Sequence, residues 1–191
     1  MDSLPPTVDL PTLPQETKTA ILDTLFEPSA PLHTLALPPL SSDPPPDSYA
    51  SLISSIQSLL LSLSASESST DQSQLTQILT SHPRLGEKKV ESALSRKEQA
   101  QLQQPGQQQG GGSSGGNGEA EELKRLNEEY EGKFPGLRYV VFVNGRGRPE
   151  ILEDLRKRVG EEYPADLENE REGIIKAMCD IANDRVKKLS L

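Results

Sequence analysis

The sequence predicts an all-α protein, a single-domain helical bundle with one buried extended segment at about residues 139–144 and a disordered Gln/Gly loop. Three observations predict it. Apolar residues recur at helical spacing through most of the chain outside its proline-rich stretches. The one β-prone run, Tyr139-Val140-Val141-Phe142-Val143, has no second run of comparable quality to pair with, and a lone strand does not make a sheet. Residues 101–118 are rich in Gln and Gly and nearly devoid of apolar side chains, so they cannot offset their ordering entropy. With 191 residues the chain has room for one ordinary domain. The expected organisation is a Pro-rich tail over 1–15, then a single helical domain over 16–191 interrupted by the loop 101–118.

Taken in order, the tail carries Pro5, Pro6, Pro11 and Pro14, which fix backbone dihedrals and donate no hydrogen bonds, so no secondary structure is assigned to it. From Glu16 to Phe26, Ile21, Leu22 and Leu25 share one helical face, and Pro28 and Pro31 end the segment. A second proline-rich connector, Pro38 to Pro46, follows. Asp47 then reads as an N-cap before Tyr49, Leu52, Ile53, Ile56, Leu59, Leu60 and Leu63, whose spacings of 3, 1, 3, 3, 1 and 3 trace a continuous stripe. Leu75, Ile78 and Leu79 make a shorter helix that ends near Ser81 and His82, because Pro83 disfavours helical geometry in the residue before it. Beyond the loop, Leu123, Leu126 and Tyr130 mark another helix. Pro149 suits the first turn of a helix carrying Ile151, Leu152, Leu155 and Val159. The last helix, from about Pro164 to Lys188, presents Leu167, Ile174, Ile175, Met178 and Ile181 on one side.

Charge and composition exclude several classes of function. Twenty Lys and Arg against twenty-nine Asp and Glu leave a net charge of -9, which repels phosphate backbones and anionic lipid, so neither nucleic acid nor membrane is an expected partner. The most apolar run, Leu59 to Leu63, is far too short to cross a bilayer. One cysteine, Cys179, cannot form an intramolecular disulfide, and no secretory leader is evident near Met1, so an intracellular soluble protein is expected. Two histidines and one cysteine are too few for a structural zinc site, and no metal site is assigned, although a carboxylate-only site stays open. Phosphate-binding loops, nucleophile elbows and zinc-protease motifs are all missing.

Among the residues that could carry chemistry, His82 sits on a bend beside a proline, where an imidazole can be held rigidly and still reach a cleft; the plain alternative is a helix cap or a solvent-facing ring. Ser95-Arg96-Lys97-Glu98-Gln99 matches a helix capping box. In a helix the same spacing converges the Ser95 hydroxyl, the Glu98 carboxylate and the Gln99 amide on one patch fit for a small polar ring. Arg185 falls in line with the apolar stripe of the last helix, so its cation needs either an internal acid or a stem long enough to reach water. Cys179 reads as core packing.

Together these residues resemble the 2-oxo-4-hydroxy-4-carboxy-5-ureidoimidazoline (OHCU) decarboxylase family, which makes (S)-allantoin during urate breakdown. Ser81-His82-Pro83-Arg84-Leu85-Gly86 resembles the family's H-P-x-L segment, and Ser95-x-x-Glu98-Gln99-Ala100 resembles its S-x-x-E-Q-A. Leu126-Asn127-Glu128-Glu129-Tyr130-Glu131-Gly132-Lys133-Phe134 resembles its L-N-x-x-Y-x-x-K-F, and Arg148, Ile151-Leu152 and Arg156 to Val159 resemble the helix that follows. Where the family commonly reads K-F-G-F-P-F, this chain reads Lys133-Phe134-Pro135-Gly136-Leu137-Arg138-Tyr139, one residue longer. The resemblance implies an all-helical, cofactor-free homodimer acting on a small urate-derived ureidoimidazoline. It implies His82 as the catalytic acid/base and Glu98 as its catalytic partner. Pro83, Ser95, Gln99, Val140, Val141, Phe142, Val143, Asn144 and Arg185 would bind the substrate. The C-terminal Lys188-Leu189-Ser190-Leu191 comes close to the S-K-L peroxisomal address without matching it, so both cytoplasm and peroxisome stay open. The competing class is a catalytically inactive helical interaction protein that keeps the fold and meets partners through its proline-rich start and its loop. Presence of His82, Glu98 and Gln99 together favours catalysis, since a scaffold has no need of all three in one cleft.

Overall fold

A computed structural model describes residues 3–86, 94–96 and 116–189. The architecture is all-α, with no strand among the described residues. The chain divides into two compact units, Met1–His82 with Glu168–Leu191, and Pro83–Leu167.

The first unit begins with a short 3-10 helix, Thr7–Thr12, followed by α1 (Gln15–Phe26), α2 (Ala30–Leu40), α3 (Tyr49–Ser64) and α4 (Ser69–Leu79). It is completed by α7 (Leu167–Leu189) from Glu168 onward. Helix α2 packs on α1, α3 and α4, and α3 packs on α4. Ile21, Leu22, Leu25 and Phe26 of α1, Leu32 and Leu40 of α2, Ile56 and Leu60 of α3, and Ile175 and Met178 of α7 have no exposed surface. Tyr49, Leu52, Ile53, Ile56 and Leu60 of the expected α3 stripe are buried and Leu59 and Leu63 half-buried, but Ser48 rather than Asp47 is the cap: Ser48 and Ser51 exchange side-chain-to-backbone hydrogen bonds in a capping box.

Two segments depart from the sequence reading. The N-terminal stretch, given no secondary structure, forms the 3-10 helix and seats Leu10 in the core. Proline removes a donor but its φ suits a 3-10 turn, and the polar groups are supplied by other elements. The Tyr49 hydroxyl donates to the Pro5 carbonyl at 2.9 Å, and Lys18 Nζ donates to the Pro11 carbonyl and to Ser41 Oγ. Helix α2 was hidden by its prolines. Ser29 caps it, accepting from the Leu32 N–H, Pro31 sits in the first turn where a missing donor costs nothing, and Pro38 and Pro39 fall in the last turn.

The second unit holds α5 (Gly116–Lys133) and α6 (Arg148–Val159), which pack on each other. Between them Leu137 to Val143 carries no helix, strand or turn. Tyr139 and Val140 are buried, Val141, Phe142 and Val143 are half-buried, and Asn144 is exposed. Tyr139 packs edge-on to Tyr130 and donates its hydroxyl to Asp154 of α6. The segment ends in a tight turn with two left-handed residues, Asn144 (φ 47) and Gly145 (φ 76). Most of the expected Gln/Gly loop lies outside the described residues; α5 begins in its last three positions.

The family-like L-N-x-x-Y-x-x-K-F string has a structural reading here. Leu126, Tyr130 and Phe134 are core, while Asn127 Nδ2 donates to the Leu85 carbonyl at 3.1 Å. Lys133 Nζ donates to the carbonyls of Gly160 and Tyr163, both at 2.6 Å, closing the end of α6.

Candidate functional site

The bend that carries His82 is built by the end of α4. Ser81 folds back on Ile78, its N–H and hydroxyl both donating to the Ile78 carbonyl, and Pro83 prevents the helix from continuing. The bend turns the imidazole inward. His82 is 4% exposed and its Nε2 is sealed from solvent, so the solvent-facing alternative does not hold. Burial, and then the positive charge of Arg185, push its pKa down to about 3. The imidazole is held neutral, because a cation in a dry environment within the field of another cation is strongly disfavoured.

Arg185 of α7 is completely buried. Its Nη2 donates to Glu27 Oε1 at 2.7 Å, and its Nη1 donates to the carbonyls of Thr24 and Leu25 at 3.2 and 3.3 Å. The guanidinium thus caps the C-terminal end of α1, where the helix dipole is negative, and forms an ion pair with an acid just past that end. Of the two ways to place a cation in an apolar stripe, this one uses the internal acid.

Glu27 is the residue that sequence reasoning missed. It lies at the C-cap of α1, is 3% exposed, and has φ 90 and ψ 150, a region that only glycine enters easily. Holding a glutamate there costs roughly 1–3 kcal/mol. The only sequence signal was indirect: Arg185 in an apolar stripe called for either an internal acid or a path to water, without saying which, or which of the twenty-nine Asp and Glu residues an acid would be.

His82 and Arg185 are thus brought together in the first unit. Pro83, half-buried, and Ser95, which is 4% exposed in a helical stretch at residues 94–96, belong to the second. So do Val140 to Asn144, where the Arg146 guanidinium donates to the carbonyls of Phe142 and Val143. Glu98 and Gln99 lie outside the described residues. Burial lifts the Cys179 thiol to about 12, in keeping with a packing role. Among the described residues no three His, Cys, Asp or Glu side chains group as metal ligands, and no helix is long and apolar enough to cross a membrane.

A comparison with curated proteins gives no match. The sequence profile described as OHCU decarboxylase matches residues 11–187, spanning α1 to α6 and nearly all of α7. That family consists of decarboxylases, carboxy-lyases that act on a small molecule. With nearly its whole length matched, the chain belongs to the OHCU decarboxylase family.

Proposed function

We propose that this chain decarboxylates 2-oxo-4-hydroxy-4-carboxy-5-ureidoimidazoline to (S)-allantoin in urate degradation, without a cofactor and as a homodimer. The observation that carries the reading is His82, a buried neutral imidazole fixed on a rigid bend within the field of the buried Arg185.

The chemistry asks little of a protein. Loss of CO2 leaves an electron pair on carbon, and in this substrate the adjacent ring C=N bond takes it up, a task that in other decarboxylases falls to a pyridoxal or thiazolium ring. What remains is to hold the ring, to bind its hydroxyl, and to deliver a proton to one face of the carbon that bears the ureido group. By the family resemblance, Gln99 and Ser95 hold the ring, with Pro83 and the backbone of Val140 to Asn144. Glu98 binds the hydroxyl, Arg185 engages the anionic group and His82 transfers the proton.

Neutrality of His82 fits this cycle. A carboxylate brought beside it opposes the effect of Arg185, raising the affinity of the imidazole for a proton when substrate is present and leaving it uncharged when the site is empty. Delivery from one fixed position yields a single enantiomer. The test is to generate the substrate in situ from urate and to follow the optical activity of the allantoin formed. Wild-type protein is expected to speed the approach to one enantiomer, and His82→Ala to lose at least a hundredfold of that rate. A wild type no faster than buffer overturns the function; a fully active His82→Ala overturns the role of His82.

A further inference from the structure

The bend at Glu27 poses a chemical question. A chain that needed only to turn from α1 toward α2 would place glycine at φ 90, where it pays no steric cost. Instead the position carries a glutamate, almost fully buried, whose carboxylate meets Arg185 at 2.7 Å. Arg185 is also held by two carbonyls at the end of α1, so three acceptors from one short stretch, residues 24–27, define where its guanidinium lies. A buried charge pair is weak evidence for stability, since well-packed apolar residues of similar volume often do as well. A strained residue bound to a buried arginine is better explained by preorganisation of that arginine.

We propose that Glu27 is a positioning residue: by anchoring the Arg185 guanidinium beside His82, it fixes the cation that receives the anionic group of the substrate. This rests on the decarboxylase reading above. Glu27 does not touch substrate; it acts through Arg185, and its loss therefore falls on substrate binding before it falls on turnover.

Three variants test it in the allantoin assay, with folding checked by circular dichroism and thermal melting. Glu27→Gln keeps the size and one acceptor oxygen but removes the charge; KM is expected to rise at least tenfold with kcat within threefold. Glu27→Asp keeps the charge with a shorter reach and is expected to give an intermediate KM, and it decides the matter if Glu27→Gln does not fold. Glu27→Gly/Arg185→Met removes both charges and the backbone strain together. It is expected to melt no lower than Glu27→Gln yet to keep the raised KM, whereas a merely structural pair predicts that KM recovers as stability does. Unchanged KM in folded Glu27→Gln or Glu27→Asp, a loss confined to kcat, or recovery of KM in the double variant overturns the inference while leaving the decarboxylase function standing. An inactive wild type overturns both.

Discussion

In the unfolded chain the His82 imidazole titrates near 6.5, whereas in the folded protein burial and the charge of Arg185 hold its pKa down to about 3. Below pH 6.5 the unfolded state therefore binds more protons than the folded one. The stability contributed by a neutral His82 is complete above pH 6.5 and is lost as the pH falls toward 3, with a slope of up to about 1.4 kcal/mol per pH unit. Thermal melts from pH 8 to pH 4 should show the melting temperature falling on the acid side, and His82→Gln should flatten that fall. An unaltered profile in the variant would show that other groups dominate acid sensitivity. Gly86 is equally constrained by its backbone. It has φ +83, and a Cβ there would lie 2.4 Å from Leu123 Cδ2. Gly86→Ala combines left-handed strain with overpacking of a buried leucine and should cost about 1–3 kcal/mol by denaturant unfolding.

Each helix depends on how its ends are closed. The capping box of α3 satisfies the backbone N–H groups of Ser48 and Ser51 reciprocally, so Ser48→Ala should lower stability by about 1 kcal/mol, read as a shift in the urea midpoint without a change in slope. At the other end of the scale of reach, Lys133 at the close of α5 donates to two carbonyls beyond α6 and lies against the rings of Phe134 and Tyr163. Lys133→Met keeps the apolar stem but removes both hydrogen bonds. It should cost about 1.5–3 kcal/mol, more than the loss of a surface ion pair such as that of Lys124 with Glu128.

For the whole molecule, the start of the chain is part of the core of the first unit. Leu10 has no exposed surface, and the stretch around it is tied down by Tyr49 and Lys18. Leu10→Ala should cost about 2–5 kcal/mol in thermal or denaturant unfolding, as a core leucine does, whereas a solvated tail would register nothing. Val8, which is 66% exposed two positions earlier, supplies the control: Val8→Ala should leave the midpoint within about 0.5 kcal/mol.

Helix type and buried faces were legible in the sequence wherever apolar residues repeat without proline, as in Tyr49 to Leu63 and Ile174 to Ile181, because amphipathic period is a local property of the chain. Proline obscured α2 and the opening 3-10 helix, since its effect depends on whether the missing donor falls in the first turn, the last turn or the interior. Of the candidate site, the bend at His82 and the need of Arg185 for either an internal acid or a path to water could be read from residue type and position. That Arg185 uses an acid, that the acid is Glu27, 158 residues away, and that burial and the charge of Arg185 hold His82 neutral, were decided only by the tertiary structure. A one-dimensional pattern records which face of a helix avoids water, whereas charge pairing, burial and the pKa values they set depend on which distant segments fold against that face.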